Sequence, residues 1–461
     1  MSSVSEPTIA QQLAGFVAGL RYEDLPAEVV NGAKALVLDQ LACELIGSTM
    51  PWVAPAKRLV QLTEGAKRES TIVGSEDSCL AGDAAFVNAS YGQACELDDS
   101  SFGSAGHIGT ATVPVALSMG ERERIDGRRF LVAIVAGYEV MYRLMRSLRP
   151  YHNSRGFHSQ SIGGPFASAA VAGKILGLDA DRMTHALAIA GSHACGPVEY
   201  DQSGGEVKRL HAGIPVRGGM MAVLYAQRGV TGPATILEGL RGIPRAFGGL
   251  ENVDAMADDL TKQDRYAIED RIVKPYPTLG AMHTAIQAMA RLMHEHPLRP
   301  EQVAEIHVRV NALIVAHGGA IVQPQDIIGA QFSLAFSLAL RLVKGSNDLR
   351  DYMNPELWKD PQIVALAEKV QVRADPGMVG DKRFGARVDV VLVDGGRMSA
   401  EEPYRKGSAQ LPFSPEELSA KYRRLASAVL TDSGARQVEQ MVHRLEEVRD
   451  VSEFAGLLLK S

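Results

Sequence analysis

The sequence predicts a mainly helical protein in which a smaller α+β domain follows a large helical one. Helical, alanine- and glycine-rich patterning runs from residue 8 to about 265, strand-like alternation appears only after that point, and helical patterning returns past Tyr404. A chain of 461 residues also exceeds the size of one ordinary core, so two domains are expected. The predicted segments are 1–265, 266–403 and 404–461, and the last is expected to rejoin the first domain.

The first part of the chain contains a series of predicted helices. Pro26 lies in the first turn of one of them, apolar residues follow at helical spacing from Val29 to Leu45, and Gly47 is predicted to end it. Many of the other helices carry alanine or glycine on their apolar faces, which allows neighbouring helices to pack closely. They are predicted near 81–96, 111–122, 127–148, 162–177, 181–191, 211–229 and 233–239.

The middle segment is predicted to be α+β because its apolar residues alternate with polar ones. Ile306, Val308 and Val310 alternate with polar neighbours, which is the pattern of a half-buried strand, and the stretch around Val370 repeats it. Asp394-Gly395-Gly396 supplies the turn of a hairpin. Helices are predicted at 283–295 and 330–343, and Ser414-Pro415-Glu416-Glu417 has the residues of a capping box that opens a further helix.

Composition and charge narrow the class of function. With 46% hydrophobic residues, 22% charged residues and a formal charge of −6, the chain is typical of globular proteins, and nothing indicates a nucleic-acid surface. No run approaches the ~18 apolar residues that span a bilayer, and the N-terminus lacks the pattern of a secretory signal. No membrane partner and a cytoplasmic location are therefore expected.

The four cysteines are scattered along the chain, without the paired spacing of zinc or iron–sulfur sites. They are expected to be buried apolar residues, and no metal site or disulfide framework is predicted. The four are Cys43, Cys79, Cys95 and Cys195.

Two polar clusters interrupt apolar segments ahead of predicted helices. In ACELDDSSFGSAGHIGTATVP, the acids Glu96, Asp98 and Asp99 precede a glycine-rich loop and His107, and acids beside a histidine tune its pKa or position it for proton transfer. In RPYHNSRGFHSQSIGGPFASAA, His158 lies in a glycine-rich approach to a helix, with Arg155 close in sequence. Solvated acids at a helix end and a capping histidine are the structural alternatives.

A third cluster, GGEVKRLHAG, places Lys208 between glycines, just before the helix that starts after Gly213. The start of a helix favours anions, so a lysine there is unfavourable unless an anion or an acid compensates it. The pattern therefore indicates a compensating anion or acid. The structural alternative is a surface lysine paired with Glu206.

The fourth cluster is VKPYPTLGAMHTAIQAMARL, in which Lys274 precedes two prolines and His283 opens an apolar helix. The prolines fix a turn that delivers His283 to a defined place, although His283 is equally explained as an ordinary first residue of a helix. The chain lacks the G-x-S-x-G, G-x-x-x-x-G-K-[ST] and strand-linked G-x-G-x-x-G patterns. Its inventory of acids, histidines and cations suits proton transfer on an anionic substrate.

At these clusters, and in their order, the chain resembles the MmgE/PrpD superfamily, which includes 2-methylcitrate dehydratase, cis-aconitate decarboxylase and iminodisuccinate epimerase. The resemblance covers nearly the whole chain and is carried by ELDDS with His107, GFHSQSIGGPFASAA, KRLHAG, KPYP with His283, AQFSLAFSLAL and KGS. It implies a large all-helical domain built from both chain ends, a smaller inserted α+β lid domain, a site between the domains, and a homodimer.

Motif matching also assigns the site residues that the resemblance implies. Ile108 and Ser159-Gln160 depart from residues that are frequent in the family, which affects the expected substrate more than the fold. Arg155, Ser159, Gln160 and Lys274 are expected to bind substrate. The implied catalytic positions are Glu96, Asp99, His107, His158, Lys208 and His283.

The resulting hypothesis is a cofactor-independent lyase that removes an α-proton and eliminates water from a small di- or tricarboxylate, as 2-methylcitrate dehydratase does. Lys208 is expected to stabilise the developing negative charge. His158 or His107 would exchange the α-proton and His283 would protonate the leaving hydroxyl, while the acids orient these groups.

Three alternatives stay open at this point. The same residues suit epimerisation of an amino- or imino-dicarboxylate, in which two bases act on opposite faces of one carbon. They also suit decarboxylation of a cis-aconitate-like acid, in which only the carbanion must be protonated. A non-catalytic carboxylate-binding protein is the alternative from another class. None of these hypotheses requires an organic cofactor or a metal.

Overall fold

The computed structural model describes residues 6–61, 68–104, 106–148, 155–200, 205–250, 253–260 and 265–460. These residues form two compact units. The first contains the chain through Arg271 together with the residues from Ser414 onward, and the second is Ile272–Phe413. Both unit boundaries lie later in the chain than the predicted ends at 265 and 403. The backbone N–H of Ala267 donates to Glu139, which keeps this residue in the first unit. Val273 N donates to Gly407 O, which places both of these residues in the second unit.

The first unit is predominantly helical, as the sequence predicts. Helix Ser159–Ile175 is central to it and packs against Gly127–Leu148, Gly213–Gln227 and Ile108–Glu123. Two-residue strands occur at Ser70–Thr71, Ser78–Cys79 and Ser100–Ser101, and Arg271–Ile272 is a fourth at the junction of the units. Within the described ranges, the other α-helices of the unit are Ile9–Gly19, Ala27–Ser48, Ala54–Gln61, Ala81–Gly92, Ala180–Ala190, Pro415–Ala426, Asp432–His443 and Val451–Ala455.

Close packing of these helices depends on glycine, as the sequence indicates. A Cβ atom at Gly219 would lie 2.2 Å from the carbonyl oxygen of Pro165, and one at Gly137 would lie 2.4 Å from Cγ2 of Val171. Neither neighbour has room to withdraw, since both belong to the buried helix Ser159–Ile175. Glycine therefore allows two helices to approach the central one at nearly backbone contact.

Two predicted helices differ from the structure in informative ways. The helix that starts at Ala81 ends at Gly92, so Glu96 and Asp99 lie in irregular chain beyond it rather than at its end. Residues 234–240 form turns, so the helix predicted at 233–239 is wrong. Gly239 lies at the end of this stretch and Gly242 follows it closely, and glycine disfavours helix continuation.

The second unit contains a four-stranded sheet with helices packed against it. Strand Val303–Val310 pairs in parallel with Val370–Ala374 and antiparallel with Ala386–Leu392, which pairs with Arg397–Glu402. Ile306, Val308 and Val310 are buried, which confirms the predicted alternation. The helices are His283–Glu295, Ala312–Gly318, Ile327–Gln331, Leu334–Lys344, Leu349–Tyr352, Pro355–Trp358 and Pro361–Ala367.

Smaller sequence predictions can also be compared with the structure. Ser414 forms the predicted capping box with Glu417, and Gly395 has the positive φ of a tight turn. Cys43, Cys79 and Cys95 are buried, but Cys195 is exposed in the loop after helix Ala180–Ala190, contrary to expectation. Among the described residues, none of the helices is long and apolar enough to cross a membrane.

Glu44 gives the first unit a predicted sensitivity to alkaline pH. Its side chain is fully buried in helix Ala27–Ser48, accepts a hydrogen bond from Gln40 at 3.0 Å, and burial raises its pKa to about 8. Between its ordinary pKa and about pH 8, the folded protein holds a proton that the unfolded chain has lost, so stability falls as pH rises, by up to about 1.4 kcal/mol per pH unit.

We expect Glu44→Gln to remove this loss of stability, so that the melting temperature changes less between pH 5 and pH 8. Thermal unfolding followed by circular dichroism measures how the melting temperature changes with pH. Glu28→Gln, at an exposed position of the same helix, is the control. An unchanged slope in the Glu44 variant would contradict the assignment.

Candidate functional site

Lys208 of the first unit is a buried lysine that pairs with an acid far away in sequence. Its side chain lies in the turn Glu206–Leu210, is 3% exposed, and donates to Oε1 of Glu96. Nη1 of Arg209 lies 3.6 Å from the same oxygen, and the Arg209 guanidinium lies over the Trp52 ring. The alternative of a surface lysine paired with Glu206 is therefore wrong.

Glu96 has a backbone conformation that is unusual for its residue type. Its φ is 56°, in the left-handed region, where a residue with a side chain is strained. Such a conformation persists when surrounding contacts determine it, and the two buried cations on the Glu96 carboxylate are contacts of that kind. Strain of this type is concentrated at functional sites.

His107 precedes helix Ile108–Glu123 and is held by the acidic segment, residues 96–99. Its Nδ1 lies 2.9 Å from Oδ2 of Asp98 and 2.9 Å from the backbone carbonyl oxygen of Asp99. A carbonyl oxygen can only accept a hydrogen bond, so Nδ1 carries the proton and donates it to Asp99 O, with the Asp98 carboxylate beside it. Nε2 is then the ring nitrogen that can accept a proton. The backbone N–H of His107 donates to the side chain of Gln160.

Asp99 is a structural neighbour of the histidine rather than its side-chain partner. Its Oδ1 accepts from the backbone N–H of Gly109 at 2.8 Å, and its Oδ2 accepts from the Tyr138 hydroxyl at 3.4 Å. Burial, followed by the charge of Asp98, raises the pKa of Asp99 well above its usual range. Asp98, and not Asp99, is the acid whose side chain contacts His107.

His158 lies immediately before helix Ser159–Ile175, close to two other histidines. The centres of the His107 and His158 rings are 6.1 Å apart, and Nδ1 of His158 is 3.1 Å from Nδ1 of His211. Burial, and then the neighbouring charge of Lys208, hold the pKa of His158 well below its usual range. His158 is therefore a neutral imidazole near a buried ammonium.

The structure thus brings four of the predicted catalytic residues together with one acid that the motif match did not assign. We call this group the first-unit cluster. It consists of Glu96, Asp98, His107, His158 and Lys208.

The residues predicted to bind substrate in this region differ in their surroundings. Arg155 is exposed, whereas Ser159 is buried. Gln160 is fully buried, and its amide is engaged at both ends because Oε1 accepts from His107 N and Nε2 donates to Thr110. Gln160 therefore couples the segments that carry His107 and His158, and its predicted contact with substrate stays a prediction.

Lys274 and His283 belong to the second unit. Both are buried, and His283 is the first residue of helix His283–Glu295, as predicted. The ring of Tyr276 meets the His283 ring edge to face, with centres 5.5 Å apart. A Cβ atom at Gly280 would lie 3.1 Å from Nη1 of Arg405 and 3.8 Å from Cε of Lys274, so two buried cations lie against this glycine.

Several residues of the site region could not be assigned their contacts from the sequence. Asp98 was visible in ELDDS but is one of three nearby acids, and His211 was visible in KRLHAG without a spacing that links it to His158. Arg209 and Lys421 resemble surface cations until the fold buries them. Only the three-dimensional packing of distant segments distinguishes them.

This arrangement can bind an anion and exchange a proton. Two buried cations face one carboxylate at Glu96, and two imidazoles lie nearby, each with its Nδ1 engaged in a hydrogen bond. In a buried setting these charges act more strongly on a substrate than they would in water. Within the described ranges, no three His, Cys, Asp or Glu side chains are arranged to hold a metal ion.

Comparison with known proteins yields two family matches and several similar full-length proteins. Residues 11–256 match the MmgE/PrpD N-terminal domain, and residues 276–447 match the MmgE/PrpD C-terminal domain. The chain is 28% identical to the cis-aconitate decarboxylase-like protein oryM of Aspergillus oryzae, over 99% of this chain and 98% of that protein. It is 26% identical to a cis-aconitate decarboxylase of Aspergillus terreus, over 98% and 96% of the two chains. It is also 26% identical to the cis-aconitate decarboxylase of Mus musculus, over 98% and 93%.

Proposed function

Because the chain belongs to the MmgE/PrpD family, we propose that it is a cofactor-independent lyase that decarboxylates a small unsaturated tricarboxylate similar to cis-aconitate. One observation carries the proposal: the buried Lys208 side chain, paired with Glu96, belongs to the same cluster as the imidazoles of His107 and His158, whose ring centres are 6.1 Å apart. The relatives named as cis-aconitate decarboxylases, which this chain matches over nearly its full length, support the choice of substrate.

The charges of the first-unit cluster suit a substrate with several carboxylates. Lys208 and Arg209 carry two positive charges against the single negative charge of Glu96, to which both are directed. An ammonium has three N–H donors, so pairing with Glu96 is compatible with binding a substrate carboxylate. A buried cation also stabilises the carbanion that forms when carbon dioxide leaves, because that negative charge develops beside it.

The bond changes follow from this placement of charge. The carbon–carbon bond to one carboxylate breaks, carbon dioxide departs, and the electron pair spreads over the adjacent double bond and a remaining carboxylate. The negative charges of the bound substrate offset the effects that lower the pKa of His158, so the ring can hold a proton in the complex. That imidazolium then gives its proton to the carbanion, which yields an unsaturated dicarboxylate.

Decarboxylation now takes precedence over the dehydration that the sequence predicted. The three relatives reported above are named as decarboxylases or decarboxylase-like, whereas dehydration and epimerisation rest on the family resemblance alone. Decarboxylation also makes the smallest demand on the first-unit cluster, because it needs charge stabilisation and one proton donor. Dehydration needs a base that removes the α-proton and an acid that protonates the leaving hydroxyl.

A substrate panel monitored by proton NMR in deuterated water tests the proposal. The purified protein is incubated separately with cis-aconitate, 2-methylcitrate and aspartate. We expect cis-aconitate to disappear with release of carbon dioxide and with one deuterium at the protonated carbon of the product. His158→Gln should reduce the rate at least a hundredfold, because it removes the proton donor.

The same experiment distinguishes decarboxylation from the three alternative functions. Formation of an alkene from 2-methylcitrate without carbon dioxide release would identify a dehydratase, and exchange with inversion of an amino-dicarboxylate would identify an epimerase. If cis-aconitate bound without turnover, as followed by isothermal titration calorimetry, the chain would be a carboxylate-binding protein. Each of these results would overturn decarboxylation.

A further inference from the structure

His211 is a buried histidine in direct contact with His158 that neither the sequence nor the family match singled out. Nδ1 of His211 lies 3.1 Å from Nδ1 of His158, and the ring centres are 5.2 Å apart with an interplanar angle of 39°. His211 is 4% exposed. Two imidazoles at this distance make a hydrogen bond rather than a simple packing contact.

The position of the His211 ring is determined by its surroundings. The Tyr200 ring lies edge to face against both imidazoles, with ring-centre distances of 5.9 Å to His158 and 5.5 Å to His211. The His211 backbone N–H donates to Lys208 O, and a Cβ atom at Gly196 would lie 3.5 Å from Cε1 of the His211 ring. The ring is therefore confined on several sides, so it can hold its partner in one orientation.

A contact between two Nδ1 atoms restricts where the protons lie. One nitrogen must donate and the other must accept, so a neutral pair holds one proton between the two Nδ1 atoms. If His158 donates, its Nε2 carries a lone pair and accepts a proton directly. If His211 donates, Nε2 of His158 already carries a hydrogen, and the ring cannot take up a proton there.

We propose that His211 is a positioning residue that accepts the Nδ1–H of His158 and thereby holds Nε2 of His158 as the proton-exchanging atom. This inference rests on the proposed function. When Nε2 gains a proton, the His158 imidazolium keeps its Nδ1–H bond to the neutral His211, and this charge-assisted bond is stronger than the bond between neutral rings. When Nε2 passes that proton to the carbanion, the pair returns to its starting state, so protons and charge balance.

The charges around the two rings support a neutral His211. Burial, and then Lys208, lower the pKa of His211 to about 4. Lys208, His107, His211 and Glu96 all act on His158, and of these only Glu96 favours its protonated form. A neutral acceptor is thus the partner that stabilises the imidazolium without adding a further positive charge.

The test compares His211→Phe with His211→Asn. Phenylalanine fills the space but cannot accept a hydrogen bond, whereas the asparagine side-chain oxygen can take the place of Nδ1. Decarboxylation needs protonated His158, so kcat falls as pH rises through the pKa of His158 in the complex. We expect His211→Phe to move this alkaline limb about one pH unit lower and to reduce kcat at pH 7.5 roughly tenfold, with little change in KM.

In His211→Asn, the pH at which kcat falls on the alkaline side should stay near its value in the parent protein. His193→Phe is the matched control, because burial lowers the pKa of His193 as well, but this half-buried histidine packs on Gly218. A profile and kcat within twofold of the parent for His211→Phe, in a protein with unchanged circular dichroism, would overturn the proposal. So would a shift of equal size in His193→Phe.

A second measurement does not depend on turnover and separates this inference from the proposed function. Long-range proton–nitrogen correlation spectra of histidine-labelled protein at pH 7.5 report the tautomer of each ring. We expect His158 to carry hydrogen on Nδ1 and not on Nε2 in the parent and in His211→Asn, and to lose this preference in His211→Phe. Hydrogen on Nε2 of His158 in the parent would overturn the inference even if cis-aconitate is decarboxylated.

Discussion

Lys208→Met is expected to reduce turnover of the tricarboxylate roughly a thousandfold, the largest loss of activity that we predict. Methionine keeps much of the apolar stem but removes the ammonium that pairs with Glu96 and that is proposed to stabilise the carbanion. Removing one preorganised donor of this kind costs about 10²–10³ in kcat, and a full positive charge places the effect at the upper end. Steady-state kinetics at pH 7.5 measure kcat and KM.

The same variant should also lose stability, which must be separated from its effect on catalysis. Glu96 would remain buried with Arg209, at 3.6 Å, as its cationic contact in the first-unit cluster, so we expect a cost of about 3 kcal/mol. Urea unfolding measures this cost. The double variant Lys208→Met/Glu96→Gln removes both charges and should recover most of the stability but none of the activity.

Lys34→Met is the matched control for loss of a buried lysine. Lys34 is buried in helix Ala27–Ser48 and pairs with Glu446 at 2.5 Å. It should destabilise the first unit while leaving kcat of the folded protein within twofold of the parent. A Lys208→Met variant that retains more than a tenth of the parent activity would contradict the role assigned to its ammonium.

The sequence predicted a helix or strand correctly where a single hydrophobic periodicity ran through the whole segment. Helix His283–Glu295 begins at the predicted residue, and the alternation of Ile306, Val308 and Val310 matches the buried face of the observed strand. The failure at 233–239 has a local cause as well, since Gly239 at its end favours a turn over a continued helix. Binary patterning predicts elements well and their ends less well, as the early end of the helix at Gly92 shows.

The site was predictable only as a set of residue types and not as a set of contacts. Lys208 has Glu206 two positions away, yet its partner is Glu96, because the fold brings the segment after helix Ala81–Gly92 beside the turn that carries Lys208. Likewise, ELDDS offered three acids, and only the structure shows that Asp98 contacts His107 while Asp99 is held by Gly109. The predicted lid role, homodimer and cytoplasmic location stay predictions.

Lys421 shows how the C-terminal end of the chain supports the acidic segment. It lies in helix Pro415–Ala426, is buried, and places Nζ 2.5 Å from Oδ1 of Asp39. The same Nζ donates to the backbone carbonyl of Leu97 at 2.9 Å. Leu97 stands between Glu96, whose backbone is strained, and Asp98, which holds His107. Lys421 therefore anchors the backbone at the centre of the first-unit cluster.

Lys421→Met is accordingly expected to destabilise the protein by about 3–5 kcal/mol, because it leaves a buried carboxylate and a buried carbonyl without their cation. Burial raises the pKa of Asp39 even with Lys421 present. Without the lysine this pKa rises further, so the folded protein holds a proton that the unfolded chain has lost over a wider pH range. The penalty should therefore be larger at pH 8 than at pH 5, as urea unfolding at the two values measures.

Lys421→Met should also reduce kcat roughly tenfold, because a relaxed Leu97 backbone releases Glu96 and Asp98 from the positions that serve Lys208 and His107. Lys421→Arg keeps the charge and should recover most of the stability, although its larger head group cannot reproduce both contacts. Asp39→Asn combined with Lys421→Met removes the buried charge pair but leaves Leu97 without its donor. If that double variant regained full activity, the carbonyl contact would be irrelevant to catalysis, whereas restored stability with low kcat would show that Lys421 acts through the backbone beside Glu96.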